Sequence, residues 1–166
     1  MLQPTVRRTW SPSGLTPIHK SWDRHDRLTA ISAISVSPRR RRLGLYFDIL
    51  DHNAHIDDFE AFIVSLLRRL GRSITLVMDR YSVHRGAAKR LRLRFGDHIV
   101  IEWLPAYAPE LNPDEQVWNR AKYTDLANFI PQNVLQLGRA MAASFRRTRS
   151  QQPLLRSFFK HARLRL

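Results

Sequence analysis

Two acidic residues in the chain stand where catalytic chemistry is expected. Asp79 ends a short apolar run, and Glu115 lies 36 positions later, close behind Asn112 and Pro113. Asn followed by Pro is typical of a helix start, because the Asn side chain accepts from free backbone N–H groups and proline needs no donor in the first turn. Glu115 is therefore predicted in the first turn of a helix that opens after a second apolar run, residues 99–104.

The elements that must position these carboxylates are two buried strands, at residues 74–79 and 99–104, joined by a short basic helix at 86–95. Strand–helix–strand units make parallel neighbours, whose carboxyl ends meet at one edge of a sheet. Asp79 and Glu115 are thus expected close together. Carboxylate oxygens suit Mg²⁺ or Mn²⁺. Two such ions can activate water or a 3′-hydroxyl and stabilise the leaving oxygen in phosphodiester transfer.

Each of these residues also has a structural interpretation. Glu115 is an ordinary helix-start residue, stabilised by the helix dipole. Asp114 could be the metal ligand in its place. Asp79 could be only a turn residue, and His84 could be a hydrogen-bonded structural histidine. The spacing alone leaves these alternatives open.

The first half of the chain predicts a β-hairpin and a helix. Residues 28–36 and 43–49 are strand-like, the second with apolar residues at every other position. The helix at 57–70 carries a continuous apolar stripe, with Asp57 and Glu60 as a capping box and Gly71 as its stop. The tip of the hairpin holds four consecutive basic residues, which could bind phosphates or could simply be solvated: Arg39, Arg40, Arg41 and Arg42.

The remaining segments complete an α/β domain. Residues 1–27 are polar, rich in proline and expected to be mostly loop, and helices are predicted at 113–122, 131–145 and 153–162. The order of the elements predicts one domain over 1–166, a mixed sheet with helices packed on it.

Composition points to a polyanionic partner. The 28 Lys and Arg residues outnumber the 14 Asp and Glu residues, which gives a net charge of +14, so nucleic acid is the expected ligand. Arg accounts for 24 of the 28, however, as codon bias in a GC-rich genome would also produce. The absence of cysteine excludes disulfides and Cys-based zinc sites. No apolar run approaches the ~20 residues of a membrane span, so no membrane partner and a soluble, intracellular protein are expected.

Two segments resemble a known catalytic core. They are DRYSVH at residues 79–84 and LPAYAPELNPDEQVWNRAKYTDLANF at 104–129. In spacing and flanking residues they are similar to mariner-type bacterial insertion-sequence transposases of the DDE endonuclease superfamily. The segments RRTWSPSGLTP, RHDRLTAISAISVSP and LLRSFFKHARL extend the resemblance through nearly the whole chain.

The resemblance implies a ribonuclease-H-like mixed sheet flanked by helices, Mg²⁺- or Mn²⁺-dependent cleavage and transfer of DNA strands, and Asp79 and Glu115 as catalytic metal ligands. It also implies a cytoplasmic, nucleoid-associated bacterial protein that could form a homo-oligomer when full length. The residues expected to contact DNA are the four hairpin arginines, Arg39, Arg40, Arg41 and Arg42, together with Arg80, His84 and Lys122.

Two departures from the family pattern affect these expectations. Arg80 replaces an Asn that is frequent after the second Asp. The strand that carries the first Asp, and the module that reads transposon ends, are expected upstream of the matched segment, so the chain is expected to be a fragment that lacks its first strand. Asp48 or Asp51 is a weak substitute for that Asp. The alternatives are a non-catalytic, basic nucleic-acid-binding remnant and a product that does not fold stably.

Overall fold

The computed structural model describes residues 8, 10–15 and 28–166 of the chain. Within these residues the strands are β1 Thr29–Val36, β2 Leu43–Leu50, β3 Ile74–Met78 and β4 Ile99–Trp103. The α-helices of the same part of the chain are α1 Ile56–Leu70, α2 Ser82–Phe95, α3 Pro113–Arg120, α4 Val134–Ser150 and α5 Gln152–His161. Short 3₁₀ helices lie at Gly96–His98 and Pro109–Leu111, and a π-helix lies at Ala121–Asp125. The loop predicted for residues 1–27 falls largely outside the described residues.

The strands pair as two units. β1 and β2 form the predicted antiparallel hairpin, in register from Thr29 opposite Leu50 to Val36 opposite Leu43. β3 and β4 are the predicted parallel neighbours, connected by α2. Both antiparallel and parallel pairing are therefore present, as expected. Among the described residues, however, the four strands form two two-stranded sheets, and the single continuous sheet expected from the sequence is not formed.

The hairpin lies between two apolar cores. One core contains the buried side chains of α1, α2, β3 and β4, together with Ile31 of β1. The other contains residues of α3, α4 and α5, together with Ala30 of β1 and Leu45 of β2. Successive side chains of a strand point to opposite faces, so Ala30 and Ile31 enter different cores. The hairpin thus connects the helices of the C-terminal part to the unit that carries Asp79.

α1 is one residue longer than predicted, and its start is built differently. The helix begins at Ile56, and the carboxylate of Asp58 accepts from the backbone N–H of His55 at 2.8 Å. The predicted capping box of Asp57 and Glu60 is therefore wrong. Glu60 instead faces α2, where its carboxylate accepts from Arg94 at 3.3 Å. Gly71 ends the helix as predicted, with a φ of 61° that suits glycine.

α2 begins at Ser82, four residues before its predicted start at Gly86. The predicted boundary was therefore too late, although glycine is normally a weak helix former. In the folded chain, a Cβ at position 86 would lie 2.5 Å from Cδ1 of Ile56. Gly86 is therefore an interior helix residue whose missing side chain lets α1 and α2 approach closely.

The last three helices differ from prediction at their ends. α3 stops at Arg120 and continues as the π-helix, in which Leu126 N–H donates to Ala121 O at 2.9 Å. α4 begins at Val134 and not at Pro131, because the side chain of Asn133 accepts from Gln136 N–H. α4 also runs to Ser150, five residues beyond its predicted end. Within the described ranges, no helix combines the length and apolar character needed to cross a bilayer.

Candidate active site

The two predicted carboxylates lie where the parallel strands end. β3 and β4 run in register from Ile74 opposite Ile99 to Met78 opposite Trp103. The pairing continues one residue further, because Leu104 N–H donates to Met78 O at 2.9 Å. Asp79 follows Met78 directly. The loop that leads to Glu115 therefore starts beside Asp79, at the carboxyl edge of the pair.

Asp79 is held by two donors on one oxygen. Its Oδ1 accepts from the backbone N–H of Tyr81 at 2.9 Å and lies 2.6 Å from Nδ1 of His84. Because a carboxylate only accepts, Nδ1 carries the proton of this hydrogen bond. The His84 ring also packs on Phe59 of α1, with ring centroids 4.3 Å apart. The orientation of Asp79 is thus fixed through Oδ1, while about half of its side-chain surface remains exposed.

Glu115 lies in the first turn of α3, as predicted. Asn112 caps this helix through its side-chain oxygen, which accepts from Asp114 N–H at 3.1 Å, and Pro113 occupies the first turn. Glu115 is half-buried. Burial raises the pKa of Glu115, and the negative charge of Asp79 raises it further. The two carboxylates line the same pocket.

Asp114 faces away from Glu115, toward the hairpin. Its Oδ2 accepts from the hydroxyl of Ser32 on β1 at 2.6 Å, and its Oδ1 is buried. Burial raises the pKa of Asp114 to about 6, the hydrogen bonding to Ser32 and Trp118 lowers it in part, and the charge of Glu115 adds to the rise. The alternative that Asp114 replaces Glu115 as the metal ligand does not agree with this placement.

A pocket of about 380 Å³ surrounds the two carboxylates. Its walls come from the two loops that follow β3 and β4. The lining residues are Asp79, Arg80, Tyr81, Leu104, Pro105, Ala106, Tyr107, Ala108, Pro109, Asn112 and Glu115. A phosphate group entering this pocket would meet both acidic side chains and one guanidinium group.

The donor set of the pocket fits a hard divalent cation in part. Mg²⁺ is commonly held by one or two carboxylates, with water and substrate phosphates completing its coordination, and Asp79 and Glu115 supply two. Among residues 8, 10–15 and 28–166, no group of three or more Asp, Glu or His side chains could hold a metal ion. Asp48 and Asp51 do not line the pocket: Asp48 accepts from its neighbour Ile49 N–H, and Asp51 pairs with His52.

The predicted DNA contacts fall in different places. Arg80 lines the pocket, and His84 is engaged with Asp79 behind it. Lys122 lies in the π-helix, with its ammonium group 5.1 Å from the ring centroid of Tyr123. The four hairpin arginines are exposed and do not line the pocket.

The hairpin tip is anchored from its backbone. Arg156 of α5 donates to the carbonyl oxygens of Arg40 and Arg41, at 2.9 and 2.8 Å. Gln152 donates to Leu43 O and accepts from Leu43 N–H. These contacts leave the tip's own guanidinium groups in solvent on a fixed backbone, as a phosphate-binding surface would need.

Sequence reasoning missed two aromatic residues of the pocket, Tyr81 and Tyr107. Neither belongs to a periodic apolar pattern, so neither gave a signal in the sequence. The different directions of Asp114 and Glu115 could have been predicted from the sequence. Successive residues of an α-helix are about 100° apart around its axis, so two neighbouring acidic residues do not face one site.

Comparison with known proteins agrees with this geometry. Residues 1–136 match the family model described as DDE superfamily endonuclease. No curated protein sequence matches the chain. Among solved structures, the chain is similar to one in the crystal structure of the Mos1 strand transfer complex, with a TM-score of 0.61 and 11% sequence identity.

That similarity covers 98% of this chain and 47% of the other, so the chain spans about half the length of its structural relative. At this low identity the similarity concerns the fold, and it confirms the predicted ribonuclease-H-like α/β class. The family model covers residues 1–136 of the 166, and the chain therefore belongs to the DDE superfamily endonuclease family.

Proposed function

We propose that the chain is the catalytic portion of a transposase, which cuts DNA strands and transfers them with the help of Mg²⁺ or Mn²⁺. The observation that carries this proposal is the pairing of Asp79 and Glu115 in one pocket, at the carboxyl edge of two parallel strands. The family is one of endonucleases. The structural relative was crystallised in a strand transfer complex, and this supports DNA as the substrate.

In this proposal each residue of the pocket has a defined task. Asp79 and Glu115 hold the cation, His84 and the Tyr81 N–H keep Asp79 in place through Oδ1, and Arg80 meets a phosphate oxygen. When bound, the cation would polarise the phosphodiester and lower the pKa of the attacking water or hydroxyl. It would also offset the repulsion between the carboxylates that raises the pKa of Glu115.

The charge distribution supports DNA as the partner. The net charge of +14 favours any polyanion, and the exposed tip arginines sit on a backbone fixed by Arg156. Arg39, Arg40, Arg41 and Arg42 are therefore proposed to bind backbone phosphates outside the pocket. Lys122 is proposed as a further contact. A nucleoid-associated location in a bacterial cytoplasm, and assembly of the full-length protein into a homo-oligomer, are parts of the same proposal.

The site is proposed to be completed by a third carboxylate outside the described residues. The described part of the chain supplies two, and in it β1 and β3 each pair with one neighbour only. An additional strand that carries an Asp could pair with a free strand edge and bring the third ligand to the pocket. Without such a ligand the second metal ion of a two-ion mechanism would bind weakly.

A non-catalytic nucleic-acid-binding protein is the alternative function, and the strong positive charge favours it. Such a protein would bind DNA through phosphate contacts and would not need the two carboxylates. The two functions therefore differ in whether the pocket binds a divalent cation.

Metal binding tests this difference directly. Mn²⁺ affinity is measured by calorimetry on the full chain and on Asp79→Asn, Glu115→Gln and the matched control Glu110→Gln. Glu110 is exposed and does not line the pocket. We expect one binding event that both pocket variants weaken at least about ten-fold and that the control leaves unchanged. Equal affinities in all four proteins would refute the proposed site and favour the non-catalytic function.

A further inference from the structure

Tyr107 combines two unusual features at the rim of the pocket. Its relative exposure is 102%, so the whole ring stands in solvent. Its backbone φ is 57°, in the left-handed region that non-glycine residues seldom adopt and that often marks functional sites. The aromatic ring is therefore presented outward by a backbone conformation that its own side chain disfavours.

A second aromatic ring lines the same pocket. Tyr81 follows Asp79 by two residues and is 59% exposed. Its ring packs edge-on against His84, with centroids 5.6 Å apart, and its N–H donates to Asp79. Tyr81 thus contacts His84, which orients the carboxylate of Asp79, while Tyr107 projects from the loop after β4.

The two exposed rings lie beside the proposed phosphate site, so the group that they contact would be the part of the DNA next to that phosphate. Bases within a duplex are stacked on one another, so an exposed aromatic ring gains little from them. A base that has left the stack offers a free face, and aromatic side chains bind such faces with little dependence on sequence. The two carboxylates and Arg80 account for recognition of a phosphate, and the two exposed rings remain available to contact a base.

We infer that Tyr107, together with Tyr81, forms a stacking site for an unpaired nucleobase next to the phosphate that is cut. This inference rests on the proposed function, because it takes the pocket as the place where DNA is bound. It adds that the preferred substrate is a DNA end or junction with at least one unpaired base.

The test compares two DNA probes in EDTA, so that no metal-dependent cleavage occurs. One probe is a blunt hairpin duplex. The other is the same duplex with a short 3′ single strand whose first unpaired base is 2-aminopurine. Affinity is measured by fluorescence anisotropy and stacking by 2-aminopurine emission. The 166-residue chain is compared with Tyr107→Phe, Tyr107→Leu and Tyr107→Asn.

The variants distinguish the effect of the aromatic ring from the effect of the left-handed backbone. Tyr107→Phe keeps the ring, Tyr107→Leu keeps apolar bulk without it, and Tyr107→Asn tolerates a left-handed backbone without it. Leu135→Ala, which removes an exposed apolar side chain on α4, is the control. Stacking of one base corresponds to between about 5-fold and about 150-fold in affinity.

We expect the parent chain, Tyr107→Phe and Leu135→Ala to bind the probe with the 3′ single strand more tightly than the blunt duplex, by a factor in that range. Binding of these three proteins should also change the emission of 2-aminopurine. Tyr107→Leu and Tyr107→Asn should lose most of this preference while keeping their affinity for the blunt duplex. A preference retained in Tyr107→Leu or in Tyr107→Asn would overturn the inference. If the parent chain bound both probes equally, the stacking inference would be wrong and the proposed function would stand. If the parent chain bound neither probe, DNA would also be removed from the proposed function.

Discussion

Asp114 gives the sharpest prediction about stability. Its carboxyl group is turned into the interior, with Oδ1 buried and Oδ2 accepting from Ser32, although other atoms of the residue reach solvent. Burial is the main reason that its pKa rises from 3.8 to about 6. The two values differ by about 2, and each pKa unit is worth about 1.4 kcal/mol. Ionising Asp114 should therefore cost the folded chain at most about 3 kcal/mol.

The pH range of this cost follows from the direction of the change. Below about pH 4 Asp114 is protonated in both the folded and the unfolded chain, so the full stability is present. Between about pH 4 and pH 6 the unfolded chain ionises first, and the folded state loses stability as pH rises. Asp114→Asn keeps a neutral acceptor for Ser32 but removes the titration. The variant should match the parent near pH 4 and exceed it in unfolding free energy by up to about 3 kcal/mol at pH 7.5.

Urea unfolding in EDTA, at several pH values from 4.5 to 7.5, measures this difference. Subtracting the curve of the variant from that of the parent removes the contributions of the other acidic residues and histidines. Glu110→Gln, which changes an exposed carboxylate in the preceding turn, should give the same pH dependence as the parent. A constant difference between parent and Asp114→Asn across the range, or a variant that is less stable at pH 7.5, would refute the reasoning.

Three further predictions concern DNA binding, packing and activity. The logarithm of duplex affinity should fall linearly with the logarithm of salt concentration. Replacing Arg39, Arg40, Arg41 and Arg42 by Ala should reduce the slope by about 0.9 for each phosphate contact, and an unchanged slope would mean a solvated turn. Gly86→Val should lower the unfolding free energy by about 1–3 kcal/mol in urea titrations, because its side chain overlaps Ile56, and Ile56→Ala should restore part of the loss. The 166-residue chain should not nick supercoiled DNA measurably in Mg²⁺, because two carboxylates leave several kcal/mol of the barrier in place. Nicking that Asp79→Ala abolishes would show that a third ligand is present.

The elements with a strong local pattern were predicted well. α1 has an apolar residue at nearly every third or fourth position, and its core face is buried as that period requires. β2 alternates, and it pairs with β1 in the expected antiparallel hairpin. These patterns lie within one segment of the chain and need no knowledge of its neighbours.

Boundaries set by contacts between elements were predicted less well. The position of Gly86 inside α2 depends on Ile56, which lies 30 residues earlier and approaches only in the folded chain. The start of α4 depends on whether Asn133 or Pro131 provides the first turn, and both are ordinary helix-start residues. Local propensity does not decide between such alternatives.

The two acidic residues of the candidate site were predicted from the sequence, but the aromatic residues that line its pocket were not. Asp79 and Glu115 could be placed together because the rule that brings the ends of parallel strands to one edge is general. The left-handed backbone of Tyr107 breaks the usual preference of non-glycine residues, so no propensity rule places its ring at the pocket. The contact between Ser32 and Asp114 joins residues 82 positions apart.

The neighbouring acidic residues of α3 carry out two tasks that depend on each other. Asp114 bonds to β1, and Glu115, rotated by about 100° around the helix axis, lines the pocket with Asp79. Glu115 must keep its direction if it is to bind a cation as proposed, and a helix only two turns long does not fix its own rotation. The bond to Ser32 fixes it together with the burial of Val117 in the second core, because a rotation of α3 would disturb both contacts. The hairpin is thus connected to the pocket through Asp114, which accounts for an acidic group in the interior at a cost of about 3 kcal/mol at neutral pH.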